Sequence, residues 1–143
     1  DLDGDLPPLD FGLRITTLVH ETTAQAWADA EARVAAMAAR RDGAVDQHRR
    51  FVAVGQQRLL ALQARGDVLD DHLYTAPGRV GGGGAGTTWL VGSAQDVARS
   101  LRKYEALGIS HFVLSDTPYL PEIKRQGEQL LPLLRTPLTL AAT

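Results

Sequence analysis

An α/β fold is predicted by three features of this chain. Stretches rich in β-branched or aromatic residues (Phe11 to Val19, Thr87 to Val91, His111 to Ser115) have strand character. Each is followed by a segment with helical periodicity and its own start signal. Between the first and second of these units lies Arg79-Val80-Gly81-Gly82-Gly83-Gly84-Ala85-Gly86, a glycine run suited to a tight bend, a mobile flap or close approach of backbone to a ligand. Repeated βα units imply parallel strands joined by right-handed crossovers.

Taken in order, Phe11 to Val19 is the first strand. Alternation puts Leu13, Ile15, Thr17 and Val19 on one face and Arg14, Thr16 and Leu18 on the other. Thr22-Thr23-Ala24-Gln25 is a capping-box pattern opening a helix to about Arg41, where Asp42-Gly43 stops it. Trp27, Ala30, Val34 and Met37 form its apolar stripe. Ala44 to about Arg65 is a second helical segment, with Phe51, Val54, Leu59 and Leu62 apolar, closed by Gly66-Asp67. Leu69 to Gly86 has no periodicity and holds Pro77 and the glycine run, so a lid, a binding loop or a disordered segment is expected. Thr87 to Val91 is the next strand. Ser93-Ala94-Gln95-Asp96 caps a helix whose Val97, Leu101, Tyr104 and Leu107 share a side and which Gly108 ends. After the strand at His111 to Ser115, Asp116-Thr117-Pro118 breaks the chain. Leu120 to Leu134 is the last helix, weakened near its end by Gly127 and Pro132.

Three such strands with helices on one face leave the other sheet face bare, which is not a stable state for a parallel sheet. Either further chain segments complete it or the sheet is doubly wound; these units leave both open.

The 143 residues make one ordinary domain with a sizeable core. A net charge of −2 with scattered Lys and Arg gives no nucleic-acid footprint. The absence of cysteine excludes disulfides and thiolate metal sites. No apolar run approaches the ~18 residues of a membrane span and no signal peptide is visible, so a cytoplasmic protein without membrane attachment is expected. The opening Asp1-Leu2-Asp3-Gly4-Asp5-Leu6-Pro7-Pro8 reads as a linker or loop over residues 1–10, fed by something upstream, or as a processed or trimmed terminus.

Several blocks occur in a telling order: Phe11-Gly12-Leu13-Arg14-Ile15, His20-Glu21-Thr22, Val54-Gly55-Gln56-Gln57-Arg58, Gly83-Gly84-Ala85-Gly86-Thr87, Leu90-Val91-Gly92, Tyr104-Glu105-Ala106-Leu107-Gly108-Ile109 and Leu131-Pro132-Leu133-Leu134. In this order the chain resembles the bacterial luciferase-like flavin-dependent monooxygenases, nearest to their alkanesulfonate monooxygenase branch, from about Phe11 to Leu134. The Val-Gly-Gln-Gln-Arg and Gly-Gly-Ala-Gly-Thr blocks are the specific ones. Those enzymes are TIM (β/α)8 barrels of roughly 250 residues or more. The resemblance therefore implies that residues 11–143 are the C-terminal portion of such a barrel, about three βα units, with 38–86 as an inserted helix and lid loop. It implies reduced FMN supplied by a separate flavin reductase, O2 as co-substrate, and oxidation of an alkanesulfonate or related small organic substrate to an aldehyde and sulfite. A homo-oligomer is expected. A deazaflavin-dependent oxidoreductase of the same fold and a non-catalytic truncated homologue are the alternatives.

Site residues follow from the same resemblance. Arg14 falls on an arginine lining the family's active site. Thr16 stands where the sulfonate enzymes carry a histidine, and Thr117 where they carry a tyrosine. Gly81 or Gly82 replaces the lid arginine, and Arg79, two or three residues upstream, is the cation a flexible loop would bring to the same anion. Gly84, Gly86 and Ser93 are the cofactor-binding candidates, the last at a helix start where backbone N–H groups favour phosphate. No metal is expected, since no histidine has a second ligand at metal spacing. His20 and His111 are assigned to packing or surface, His48 and His72 to solvent. Asp116 is read as orienting a base, binding a ribityl hydroxyl or capping the turn.

Overall fold

A computed structural model of the chain describes residues 7–41, 53–81 and 86–135. Its elements are β1 (Phe11–His20), α1 (Thr23–Arg41), α2 (Val54–Gln63), β2 (Val68–Leu69), β3 (Leu73–Tyr74), α3 (Ala76–Gly81), β4 (Trp89–Ser93), α4 (Ala94–Ala106), β5 (Ile109–Ser115), α5 (Tyr119–Gln129) and α6 (Leu131–Arg135). The fold is mixed α/β. One five-stranded sheet runs β2-β3-β4-β1-β5, with β1 parallel to both β4 and β5, and β3 antiparallel to β2 and β4.

The strand order decides where the helices go. From β1 the chain crosses to β4 on one side; from β4 it returns past β1 to β5 on the other. Two right-handed crossovers in opposite directions put their helices on opposite faces of the sheet. The core divides accordingly. On one face Ile15, Val19 and Leu90 pack with Val97 and Leu101 of α4 and with Leu130. On the other, Leu18, Trp89 and Val91 pack with Ala26 and Ala30 of α1, and Tyr74 sets its ring edgewise to Trp27 at 5.2 Å. Among the described residues the sheet is doubly wound. A closed barrel sets strands in chain order, which would place β4 between β1 and β5; here β1 lies between them.

Local signals explain most element ends. Thr22 Oγ1 accepts from Gln25 N at 3.2 Å while Gln25 Oε1 accepts from Thr22 N at 3.2 Å, the reciprocal capping box expected for α1. Gly108 ends α4 with φ +98°, a conformation costly for any residue with a Cβ. The expected single helix at Leu120 to Leu134 divides at Leu130, because Pro132 has no N–H to continue the ladder. The strand expected at Thr87 to Val91 runs instead from Trp89 through Gly92 to Ser93.

Among its described residues, the segment expected to be a lid, a binding loop or a disordered stretch forms regular elements. Between Leu69 and Gly86 lie the end of β2, then β3 and α3, with Leu73 to Gly78 buried. Asp70 and Asp71 take φ +47° and +66° and turn a tight hairpin. Thr75 anchors it, its N–H donating to Asp67 O at 2.8 Å and its hydroxyl to Gly66 O at 2.5 Å. Of the second helical segment expected from Ala44, the part from Val54 forms α2, which buries none of its residues fully. Residues 42–52 lie outside the described ones.

Candidate functional site

The face of β1 carrying Arg14, Thr16 and Leu18 is only partly covered by α1. Leu18 is buried against Ala26 and Ala30, whereas Arg14 is exposed. A cavity of about 400 Å³ opens at that uncovered end. Strand register sets three of its side chains in a row, since Thr16 pairs with Trp89 on one side and Ser115 on the other. Arg33, Ala36, Met37 and Arg40 of α1 form a second wall. Asp116, Thr117 and Tyr119, where β5 passes into α5, form a third. Gly86 closes the rim with φ +89°, its carbonyl accepting from Trp89 Nε1 at 2.7 Å and from Thr16 Oγ1 at 3.4 Å.

Three arginines therefore meet one acid. Arg33 donates through Nη1 to Asp116 Oδ1 at 2.6 Å and to Thr117 O at 2.8 Å, and through Nη2 to Asp29 Oδ2 at 2.7 Å. His20 Nε2 lies 3.0 Å from the same Asp29 oxygen. Burial raises the Asp29 carboxyl, but hydrogen bonds from Arg33 and His20 outweigh it and hold it below its ordinary value. Among the described residues Arg14 and Arg40 have no ion-pair partner.

Asp116 is the most constrained group of the site. Its side chain is 2% exposed. Oδ1 accepts from Arg33 and from Thr117 N at 2.7 Å, while Oδ2 is buried without a hydrogen-bond partner among the described residues. Burial pushes its carboxyl above the ordinary Asp value, against the opposing pull of the Thr117 N–H and Arg33. A half-satisfied buried carboxyl can hold a proton on its unpartnered oxygen.

Of the residues named from the sequence, Arg14, Thr16, Thr117 and Gly86 line this cavity together. Ser93 lies at the opposite end of β4. It caps α4, accepting from Asp96 N at 3.2 Å and donating to Asp96 Oδ2 at 2.8 Å. Hydrogen bonds from Thr23 and Ser93 hold Asp96 below its ordinary pKa, so a carboxylate already occupies that helix start and a phosphate there would meet like charge. The Arg79 guanidinium pairs with Asp67, away from the cavity. Gly81 ends α3, and a Cβ on it would come within 2.6 Å of Thr87 Cγ2. Gly82 and Gly84 lie outside the described residues, as does His48. His72, expected in solvent, is only 15% exposed and sets Nδ1 3.0 Å from Val91 O, because β3 folds back onto β4.

Arg33 and Arg40 escaped the sequence reading, although a signal existed. Ala26, Ala30, Arg33 and Met37 fall on one helical stripe, so Arg33 is a charge within a buried face, and Arg40 lies two turns on. Among the described residues no cluster of His, Asp or Glu could hold a metal ion, and no helix is long and apolar enough to cross a membrane. No protein-family model matches the chain.

Proposed function

We propose that this chain supplies the substrate-anion site of a reduced-flavin-dependent monooxygenase of the luciferase-like type, acting on an alkanesulfonate or related small organic substrate. The observation that carries the reading is a convergence. Arg14, Thr16 and Thr117, named from the resemblance alone, line the same cavity, and α1 adds Arg33 and Arg40 to it. Guanidinium groups bind sulfonates and phosphates through paired N–H donors, and among the described residues two of these three have no carboxylate to neutralise them.

The residues present also suit the charged end of FMN. Arg14 and Arg40 would hold its phosphate or the substrate sulfonate, and Met37 and Trp89 supply apolar wall. When bound with O2, reduced FMN supplies two electrons, so that one oxygen atom enters the substrate carbon and the other leaves as water. The chain's share is to pair the anion through Arg14 and Arg40, to fix Arg33 between Asp29 and Asp116, and to hold or release a proton at Asp116 Oδ2.

The proposal extends to partners. A flavin reductase, a cytoplasmic setting and a homo-oligomer belong to the same reading.

The test is aerobic incubation with FMN, a flavin reductase and ethanesulfonate. Sulfite is expected to accumulate with sulfonate present and not without it. No sulfite from any of a panel of sulfonates overturns the reading. Binding of a deazaflavin in preference to FMN, by equilibrium titration, transfers it to the hydride-transfer relatives of this fold.

A further inference from the structure

We infer that the β5 edge of the sheet is a dimerisation surface: β5 pairs antiparallel with β5 of a second copy of this chain, across a two-fold axis at Val113. This does not rest on the anion site, and it gives the homo-oligomer of that proposal its surface.

The two edges of the sheet differ. On one side β2 ends it with two residues, too short for a ladder. On the other side β5 ends it, with β1 as its one strand neighbour among the described residues. The register with β1 steps from Phe11–Ile109 to Gly12–His111, so Ser110 is the extra residue of a bulge and His111 to Ser115 is the regular stretch. That stretch holds no Asp, Glu, Lys, Arg or Pro, the residues that commonly keep an edge unpaired. Its outer backbone groups have no ladder partner among the described residues.

Self-complementarity selects a second copy as the occupant. Antiparallel pairing about Val113 sets Val113 against Val113, Phe112 against Leu114 and His111 against Ser115. Phe112 and Leu114 pack against the core on one face of the sheet, so their contact across the axis continues that apolar layer into the second copy. Val113, 59% exposed, gains cover on the other face. No like charges meet. Because β2 is too short to receive β5, head-to-tail growth is blocked, and an isologous pair uses up the long edge of both copies. Tyr119, Leu120 and Ile123, in the first turns of α5, add exposed apolar surface just past the strand. The pairing also reaches the cavity. Ser115 lines it, so His111 of the second copy comes to its rim.

Sedimentation equilibrium of the chain tests this. The mean mass is expected to rise from 15.4 kDa towards twice that value between about 10 and 500 µM, as suits an interface of the small, weak class. Val113→Glu is expected to hold the mass at the monomer value. It sets two carboxylates opposite each other in the dimer, whereas in the single chain its neighbour on β1 is Arg14. The chain lacks cysteine, so Val113→Cys gives one thiol per copy. In air this variant is expected to form a disulfide-linked dimer. His111→Cys is not, since the register separates the two copies of that exposed position by roughly 14 Å, beyond disulfide reach. If Val113→Glu does not fold, the two cysteine variants decide. A chain that stays monomeric throughout overturns the inference. So does a dimer that survives Val113→Glu or cross-links equally from both positions. None of these outcomes touches the sulfite test of the proposed chemistry.

Discussion

Arg33 Nη1 sits 2.6 Å from one oxygen of Asp116, and the other oxygen of that carboxylate has no partner among the described residues. The pair joins the middle of α1 to the end of β5, and Asp29 extends it to His20 at the end of β1. Three elements that form the cavity walls are thus tied by one chain of charges. An arginine on the buried stripe of α1 would be costly alone; between two carboxylates it becomes the strut that fixes the cavity's shape.

Arg33→Ala is expected to destabilise the fold by about 1–3 kcal/mol, because Asp116 stays buried with its counter-charge removed. Urea unfolding followed by circular dichroism measures it. A change below about 0.5 kcal/mol, the level of an ordinary surface substitution, would mean that Asp116 does not depend on Arg33.

The raised pKa of Asp116 gives stability a definite pH slope. The folded state binds this proton more tightly than the unfolded chain, so the contribution is fully present below the ordinary Asp value of 3.8 and is lost as pH rises through the folded-state value. Asp29 and Asp96 run the other way, with stability present above 3.8 and lost as pH falls through their lowered values. The wild-type stability minus that of Asp116→Asn should therefore decline as pH rises from 3.8 and then level off. Urea midpoints across pH check this; a difference that rises over that window contradicts it.

Thr17 and Gln126 form a buried reciprocal pair, with the hydroxyl donating to Oε1 at 2.9 Å and Nε2 donating to Thr17 O at 3.1 Å. Thr17→Val or Gln126→Leu alone leaves a buried polar group unpaired and should cost about 1–3 kcal/mol. The double variant should cost less than the sum of the two. Additive losses in the double-mutant cycle would show that the two side chains are not coupled.

Gly92 lies where β4 meets the start of α4. A Cβ there would stand 2.9 Å from Asp96 Cβ and 3.2 Å from His72 Nδ1. Gly92→Ala should lower stability by about 1–3 kcal/mol through this overpacking. Thermal unfolding reads it; an unchanged or raised midpoint shows that α4 yields easily.

How much was legible before the fold was known follows from the range of the interactions. β1 and α1 rest on local signals, the alternation around Ile15 and the Thr22–Gln25 box, and both appear as expected. The hairpin of β2 and β3 was hidden because two-residue strands show no alternation, and Asp70-Asp71 is not a common signature for its turn. Strand order could not be read from β1, β4 and β5, since pairing depends on which edge each crossover reaches. The cavity was half legible. Arg14 and Thr16 share a strand face by alternation alone, but Arg33, Arg40 and Asp116 join them only through packing between elements distant in sequence.

A heteronuclear NMR titration with ethanesulfonate decides whether the three arginines form an anion site. Shift changes are expected at Arg14, Arg40, Thr16 and Thr117, with the affinity lowered about tenfold or more in Arg14→Ala/Arg40→Ala. Shifts confined to Ser93 and Asp96 at the start of α4, or none at saturating ligand, would contradict it.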